Sequence, residues 1–270
     1  MTSIDGTILD FRQLDRLALG TTSIHRIDAR AKVLVTLVFV ATVSSFGPHE
    51  VTALFPFFIF PAVMVGAGGL PAGFVVKKVL IVIPFAILVG MFNPLFDREV
   101  LVRIGPVAVS GGWISCASIM IRAILTVGAA VILAGTTGFA AICRALERLG
   151  MPRVFAGQLM FLYRYIFVLA EEGSRASRAR ELRSFGQRGM GMRPFGSLVG
   201  HLLLRTWARA ERVHMAMLAR GFTGEFHSRL PSRFGLRGLL FLAGWTALFA
   251  LFRFHNLSQF LGAVVVGLAP

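Results

Sequence analysis

Long apolar stretches separated by short polar ones run along most of this 270-residue chain. After Asp28-Ala29-Arg30-Ala31-Lys32, every position from Val33 to Phe46 is apolar or small, and the run stops at Gly47-Pro48-His49-Glu50. That is short for a membrane crossing. The pattern therefore predicts a helix that starts near Asp28, which caps it, with Arg30 and Lys32 snorkelling to the inner interface. A second run, Val51 to Leu70, holds Pro56 and Pro61 and predicts a kinked helix. A third, Gly73 to Phe96, has Lys77 and Lys78 near its start and Pro84 inside, and Asp97 to Gly112 reads as a polar loop. A fourth span follows from about Trp113 to Ala134, with Arg122 embedded in it, and a fifth covers Leu236 to Phe252. Leu257 to Leu268 is apolar but short, either a thin sixth helix or a re-entrant segment. The expected fold is all-α: a polytopic membrane protein with five or six transmembrane helices.

The region between the fourth and fifth spans is different. Residues 136–237 hold 17 of the chain's 28 Lys and Arg but only 6 of its 13 acids. Gly138 to Leu149 reads as a short amphipathic helix ended by Gly150-Met151-Pro152. A longer helix follows from Arg153 to about Gly186, apolar in its first half and charged from Glu171 on. Arg153 and Arg164 interrupt the apolar half, which favours an interfacial or bundle-buried position over a crossing one. A third helix runs from about Phe195 to Ala219. Leu203, Trp207, Ala210, His214 and Met217 recur on one face, which predicts packing there, while Arg205, Arg209, Arg212 and Arg220 gather on another. The predicted organisation is an N-terminal segment with spans one to four (1–135), a basic helical cassette (136–235) and a C-terminal membrane segment (236–270).

Composition narrows the class. A chain that is 56% hydrophobic and 15% charged, with mean hydropathy +0.74, lacks the polar surface of a soluble domain of this size. The net charge of +15 follows the positive-inside pattern rather than a nucleic-acid surface, because the cations cluster beside apolar spans. The flank before the first span and the connection with Lys77 and Lys78 are basic. The first loop has no Lys or Arg, and the loop with Arg98 and Arg103 carries acids beside them. The alternation predicts an N-terminus in the cytoplasm and a cytoplasmic cassette. The first thirty residues show no cleavable signal pattern. Cys116 and Cys143 stand alone, one expected in a span and the other in a cytoplasmic helix, without disulfide or zinc spacing.

Catalytic and metal-binding chemistry has little support. The six histidines are scattered, and His201 and His214 fall about 220° apart around a helix. There is no GxxxxGK[ST] phosphate loop and no nucleophile–base pair, so the chain reads as neither an ATPase nor another enzyme. A membrane-embedded enzyme would also want intramembrane carboxylates, and the spans have almost none. Arg122 either sits in a polar seam against another subunit or, more simply, pairs with a nearby carbonyl.

Within the cassette a small pattern occurs twice at helix ends: Leu182-Arg183-Ser184-Phe185 and Ala219-Arg220-Gly221-Phe222. A cation is favoured at the carbonyl end of a helix dipole, and Gly221 fits a left-handed C-cap, so each copy alone is ordinary helix termination. Two copies in one basic insert carry more weight. Together with Leu14-Asp15-Arg16-Leu17-Ala18, Ile24 to Lys32, Tyr163-Arg164-Tyr165 and Glu171-Glu172, they give the chain its likeness. It resembles the transmembrane T component of energy-coupling factor (ECF) transporters, in the cobalt-type CbiQ branch, over nearly its whole length.

That resemblance implies a non-catalytic importer subunit of the bacterial inner membrane, multi-pass, in cobalt transport and cobalamin biosynthesis. Arg183 with Ser184, and Arg220 with Ala219 and Gly221, would be docking residues for two ABC ATPase subunits, each arginine fork reaching carboxylates. Arg205, Arg209, Arg212, Glu172 and Glu211 would support the cassette. The first copy departs from the family's Ala-Arg-Gly form at Leu182 and Ser184. The resemblance further implies a separate cobalt-type substrate-binding membrane subunit, with or without a small accessory membrane subunit, and ATP bound by the ATPases rather than by this chain, which holds no cofactor or metal itself. Nickel or another micronutrient is the alternative cargo, and a self-sufficient carrier or channel the alternative class.

Overall fold

The computed structural model describes residues 13–48, 50–96, 100–104, 107–183, 192–222 and 235–254. The chain divides into two compact units, Asp15–Ala145 with Ser232–Pro270, and Leu146–Pro231 with Met1–Leu14. The segment from Leu257 to Leu268 lies outside the described residues.

In the first unit a helical turn, α1 (13–18), precedes α2 (Ala29–Ser44). The Asp28 carboxylate accepts from the Arg30 backbone N–H at 2.9 Å, so α2 starts where a capping acid meets the apolar run. A 3₁₀ turn (Thr52–Phe58) containing Pro56 leads into α3 (Ile59–Gly68), as the two prolines predict. Gly69, at φ 64°, ends α3 in the left-handed region. The third apolar run is broken into α4 (Ala72–Leu80), α5 (Ile83–Gly90) and the single turn α6 (Asn93–Phe96). Pro84 sits in the first turn of α5, where its missing N–H costs nothing.

The expected polar loop after it is instead an antiparallel hairpin, β1 (Val100–Ile104) with β2 (Val107–Ser110), pairing Ile104 with Val107 and Val100 with Ser110. Alternate β-branched residues on both sides of Gly105-Pro106 favour this pairing over a loop. It is the one departure from the all-α expectation among the described residues. The longest span, α7 (Gly111–Thr137), and the C-terminal α11 (Leu236–Phe254) complete the unit, and α8 (Phe139–Arg148) follows α7 through Gly138 at φ 76°.

α7 is the axis of this unit. Its positions Gly111, Ser115, Ser118, Arg122, Leu125, Ala129, Ile132 and Thr136 follow alternating four- and three-residue steps, and all but the half-buried Arg122 are buried. Small residues let neighbouring backbones approach, which is how helices associate in lipid, where burial of apolar surface gives no driving force. A Cβ on Gly90 of α5 would sit 2.9 Å from Cys116 Sγ, so that crossing admits only glycine without rearrangement. A second core is aromatic: Phe39 of α2 lies 4.6 Å from Phe60 and 5.3 Å from Phe249 between ring centroids, and Phe60 meets Trp245 edge-on at 4.9 Å.

The second unit is built on α9 (Arg153–Arg183) and α10 (Met192–Ala219), which pack on each other. Four stretches among the described residues are long and apolar enough to cross a membrane: Ala72–Gly90, Gly111–Thr137, Arg153–Arg183 and Leu236–Phe254, with Thr52–Gly68 shorter. The chain is a multi-pass membrane protein. The first half of α9, expected at an interface or buried in the bundle, thus has the length and composition of a span as well.

Candidate functional site

The better-defined helix end is that of α10. The Phe222 N–H donates to the Met217 carbonyl at 3.0 Å and the Gly221 N–H to the Leu218 carbonyl at 2.9 Å, while Gly221 adopts φ 78°. These two bonds and the left-handed glycine make a complete Schellman turn, and Gly221 is the left-handed cap that the sequence predicts. Arg220 is the capping residue itself, exposed, one position past Ala219 at the negative end of the helix dipole.

Arg183 is the last residue of α9 and is exposed, with Arg180 in the same final turn. Ser184 and Phe185 of the first copy lie outside the described residues. The two arginines thus end different helices of one unit. Among the supporting residues, Arg205 and Glu172 are brought together across α9 and α10, with Nη1 to Oε1 at 3.5 Å. Arg209, Glu211 and Arg212 lie exposed along α10.

The packing face of α10 differs from expectation. Leu203 and Trp207 are 67% and 75% exposed, and Ala210 and His214 are exposed too. The helix meets α9 through the face with Leu198 and Leu202, next to the arginine stripe. Both faces of α10 carry apolar residues, so periodicity alone does not say which one meets a neighbour.

Lys32 is a second correction. It does not reach outward: its side chain is buried at 2% exposure, and Nζ donates to the Thr136 carbonyl at 2.9 Å, at the end of α7. A buried ammonium needs such a partner, and the last carbonyls of a helix are orphaned acceptors. The opposite pairing also exists. Arg122 of α7 donates from Nη2 to the Gly47 carbonyl just past α2, the simpler of its two sequence readings.

Arg253 adds to that end, with a bond to the Ser45 carbonyl at 3.2 Å, an ion pair to Glu50 at 3.7 Å and its guanidinium 4.4 Å from the Phe46 ring centroid. Sequence reasoning missed this cluster, since nothing local links residues some two hundred positions apart. At the other end of α2, His25 ties the lead-in together through Thr22 Oγ1 at 2.7 Å and the Leu17 carbonyl at 3.0 Å. Burial is the main cause holding the His25 pKa below its ordinary value, the charge of Lys32 adds to this, and the Leu17 bond opposes it. Burial also raises the pKa of the free Cys143 thiol in α8, which makes it less reactive. Among the described residues no three His, Cys, Asp or Glu side chains come together as a metal site.

Comparison with known proteins agrees with this architecture. The chain is 33% identical over 101 residues to an uncharacterized protein of Methanocaldococcus jannaschii, 37% of each chain. It is 29% identical over 217 residues to the energy-coupling factor transporter transmembrane protein EcfT of Heliobacterium modesticaldum, covering 74% of this chain and 80% of that one. Against the cobalt transport protein CbiQ of Salmonella typhimurium it is 26% identical over 158 residues, 54% of this chain and 70% of the relative. The model of the CbiQ family, described as cobalt transport protein, matches residues 20–232, so the chain belongs to that family.

Proposed function

We propose that this chain is the energy-coupling membrane subunit of an ECF-type ABC importer for cobalt ions. Two ATPase subunits bind ATP and close, and they pull on α9 and α10 through Arg183 and Arg220. The membrane unit passes that motion to a separate substrate-binding membrane subunit. This chain hydrolyses nothing and holds no cofactor. Its N-terminus and cassette face the cytoplasm of a bacterial inner membrane.

The observation that carries the reading is the exposed Arg220 on a Schellman turn, matched by the exposed terminal Arg183 of α9. A fixed helix end sets where the arginine side chain starts and adds no backbone ordering cost, which suits bidentate capture of a partner carboxylate. The family match and the EcfT relative support the same assignment.

The test is co-expression with the ATPase and substrate-binding subunits, followed by uptake of radioactive cobalt and nickel. Arg183→Glu and Arg220→Glu should each weaken ATPase co-purification at least tenfold, since each sets a carboxylate against carboxylates. The double variant should abolish uptake. Intact assembly and uptake in the double variant defeats the docking role, and nickel uptake without cobalt uptake defeats the cargo.

A further inference from the structure

Gly138 joins α7 to α8 at a left-handed φ of 76°, the kind of position where two helices can flex against each other. Its surroundings oppose that. Gly138 and Thr136 are both buried. The junction also keeps helix-type bonds on either side, from the Gly138 N–H to the Ala134 carbonyl at 2.9 Å and from the Ile142 N–H to the Gly138 carbonyl at 3.1 Å. Three neighbours grip it. Lys32 Nζ holds the Thr136 carbonyl, a Cβ on Gly68 would lie 3.2 Å from Thr136 Cγ2, and one on Gly138 would lie 3.1 Å from the Ala18 methyl.

Ala18 is held in place by the segment that follows it. The chain from Leu17 to His25 folds around the His25 imidazole, which packs so closely on Gly20 that a Cβ there would come within 2.7 Å of the ring. The Leu17 carbonyl accepts from Nε2–H of His25 at 3.0 Å, so in the neutral ring Nδ1 accepts from the Thr22 hydroxyl at 2.7 Å. Ile24 roots the segment in the hydrophobic core, and Thr22 Cγ2 lies 3.6 Å from where a Cβ on Gly69 would be, at the end of α3. The chain passes from one compact unit to the other between Leu14 and Asp15, just before this segment, and again between Ala145 and Leu146, within α8. Both links are thus anchored at one place, the Ala18–Gly138 contact.

We infer that the lead-in is a clasp: His25 folds residues 17–24 into a wedge that stops α8 from flexing at Gly138, so that α7 and α8 move as one bent piece. His25 is thereby a positioning residue for energy coupling. A pull arriving along α8 turns α7 instead of being absorbed at the glycine. The coupling role rests on the function proposed above, whereas the clasp itself is read without transport.

The test replaces His25 in the full chain and follows amide hydrogen exchange in detergent by mass spectrometry. His25→Ala removes both side-chain bonds and should speed exchange about tenfold in the lead-in and at 138–142 alike, the order of one or two lost hydrogen bonds. His25→Gln keeps a donor for the Leu17 carbonyl and should fall between the two. Gly138→Ala strikes the clasp from the other side, and exchange should then rise in the lead-in. Leu19→Ala, on an exposed residue of the same segment, should change neither. In the complex with its ATPase and substrate-binding subunits, cobalt imported per ATP hydrolysed should fall about threefold or more in His25→Ala, with ATPase co-purification unchanged. His25→Gln should restore it in part.

Faster exchange in the lead-in with 138–142 unchanged overturns the clasp. So does a rise of equal size in α4 and α5, the mark of general loosening. A released clasp with an unchanged import ratio removes the coupling role, and so does a loss of co-purification that matches the loss of import, which places the defect in assembly. A wild-type complex that imports neither cobalt nor nickel defeats the proposed function and the coupling role with it, while exchange alone still decides the clasp.

Discussion

Gly221 shows how one residue sets the geometry of a helix end. Its φ of 78° is comfortable only without a Cβ, and nothing lies within 4 Å of where that Cβ would be, so backbone strain is the whole effect of adding one. Gly221→Ala should cost about 1–2 kcal/mol locally. Faster amide exchange at 221 and 222, with weaker ATPase retention, is the expected readout, and a smaller defect than Arg220→Glu gives separates positioning from contact.

His25 offers a pH test at the same scale. Its pKa in the folded chain lies below the ordinary 6.5, so above that pH both states are neutral and nothing is lost. As pH falls through 6.5 toward the folded value, the unfolded chain takes up the proton first and stability declines. Thermal unfolding in detergent between pH 7.5 and 5 should therefore show a steeper loss for wild type than for His25→Gln, and equal slopes would remove His25 as the cause.

Both the Asp28 cap and the Gly221 turn were legible in the sequence, because a cap is made with neighbours in the chain. The Lys32–Thr136 bond spans 104 positions, and a lysine at the edge of an apolar run looks the same whether it snorkels or turns inward.

At the scale of elements, close backbone approach decides the packing. Gly90 lies against Cys116, and a leucine there must push α5 off α7, at a cost of about 1–3 kcal/mol from overpacking. Gly90→Leu should lower the melting temperature in detergent, while Gly66→Leu, on an open face of α3, should leave it nearly unchanged. Lys32→Ala should be worse than Lys32→Met. Both remove the buried charge and the donor to the Thr136 carbonyl, but the first also leaves a cavity that the second refills. Helix existence was readable from hydrophobic runs. The facing of α10 was not, since apolar residues lie on more than one of its sides and periodicity does not say which side meets a neighbour.

At the scale of the whole molecule, cation distribution predicts topology. Residues 47–50 should be reachable by a membrane-impermeant thiol reagent from outside when a cysteine is placed at Glu50, and a cysteine at Leu149 only from inside. Reactivity of both from one side would reverse the proposed orientation. The helical multi-pass character and the family were both readable from the chain. The reason is that membrane insertion obeys average hydropathy and charge, which survive as sequence statistics. The hairpin at 100–110 and the Ala18–Gly138 contact depend on pairing and shape, which leave only faint traces there.

The two crossed cation–carbonyl bonds between α2 and α7 have a mechanical meaning. Each rod grips the far tip of its antiparallel neighbour, Lys32 at one extremity and Arg122 at the other, so a lengthwise slide in either direction must break a charged hydrogen bond worth about 1.5–3 kcal/mol. A piston stroke between them is thereby penalised, and a stroke driven from below has to rock the pair as one lever.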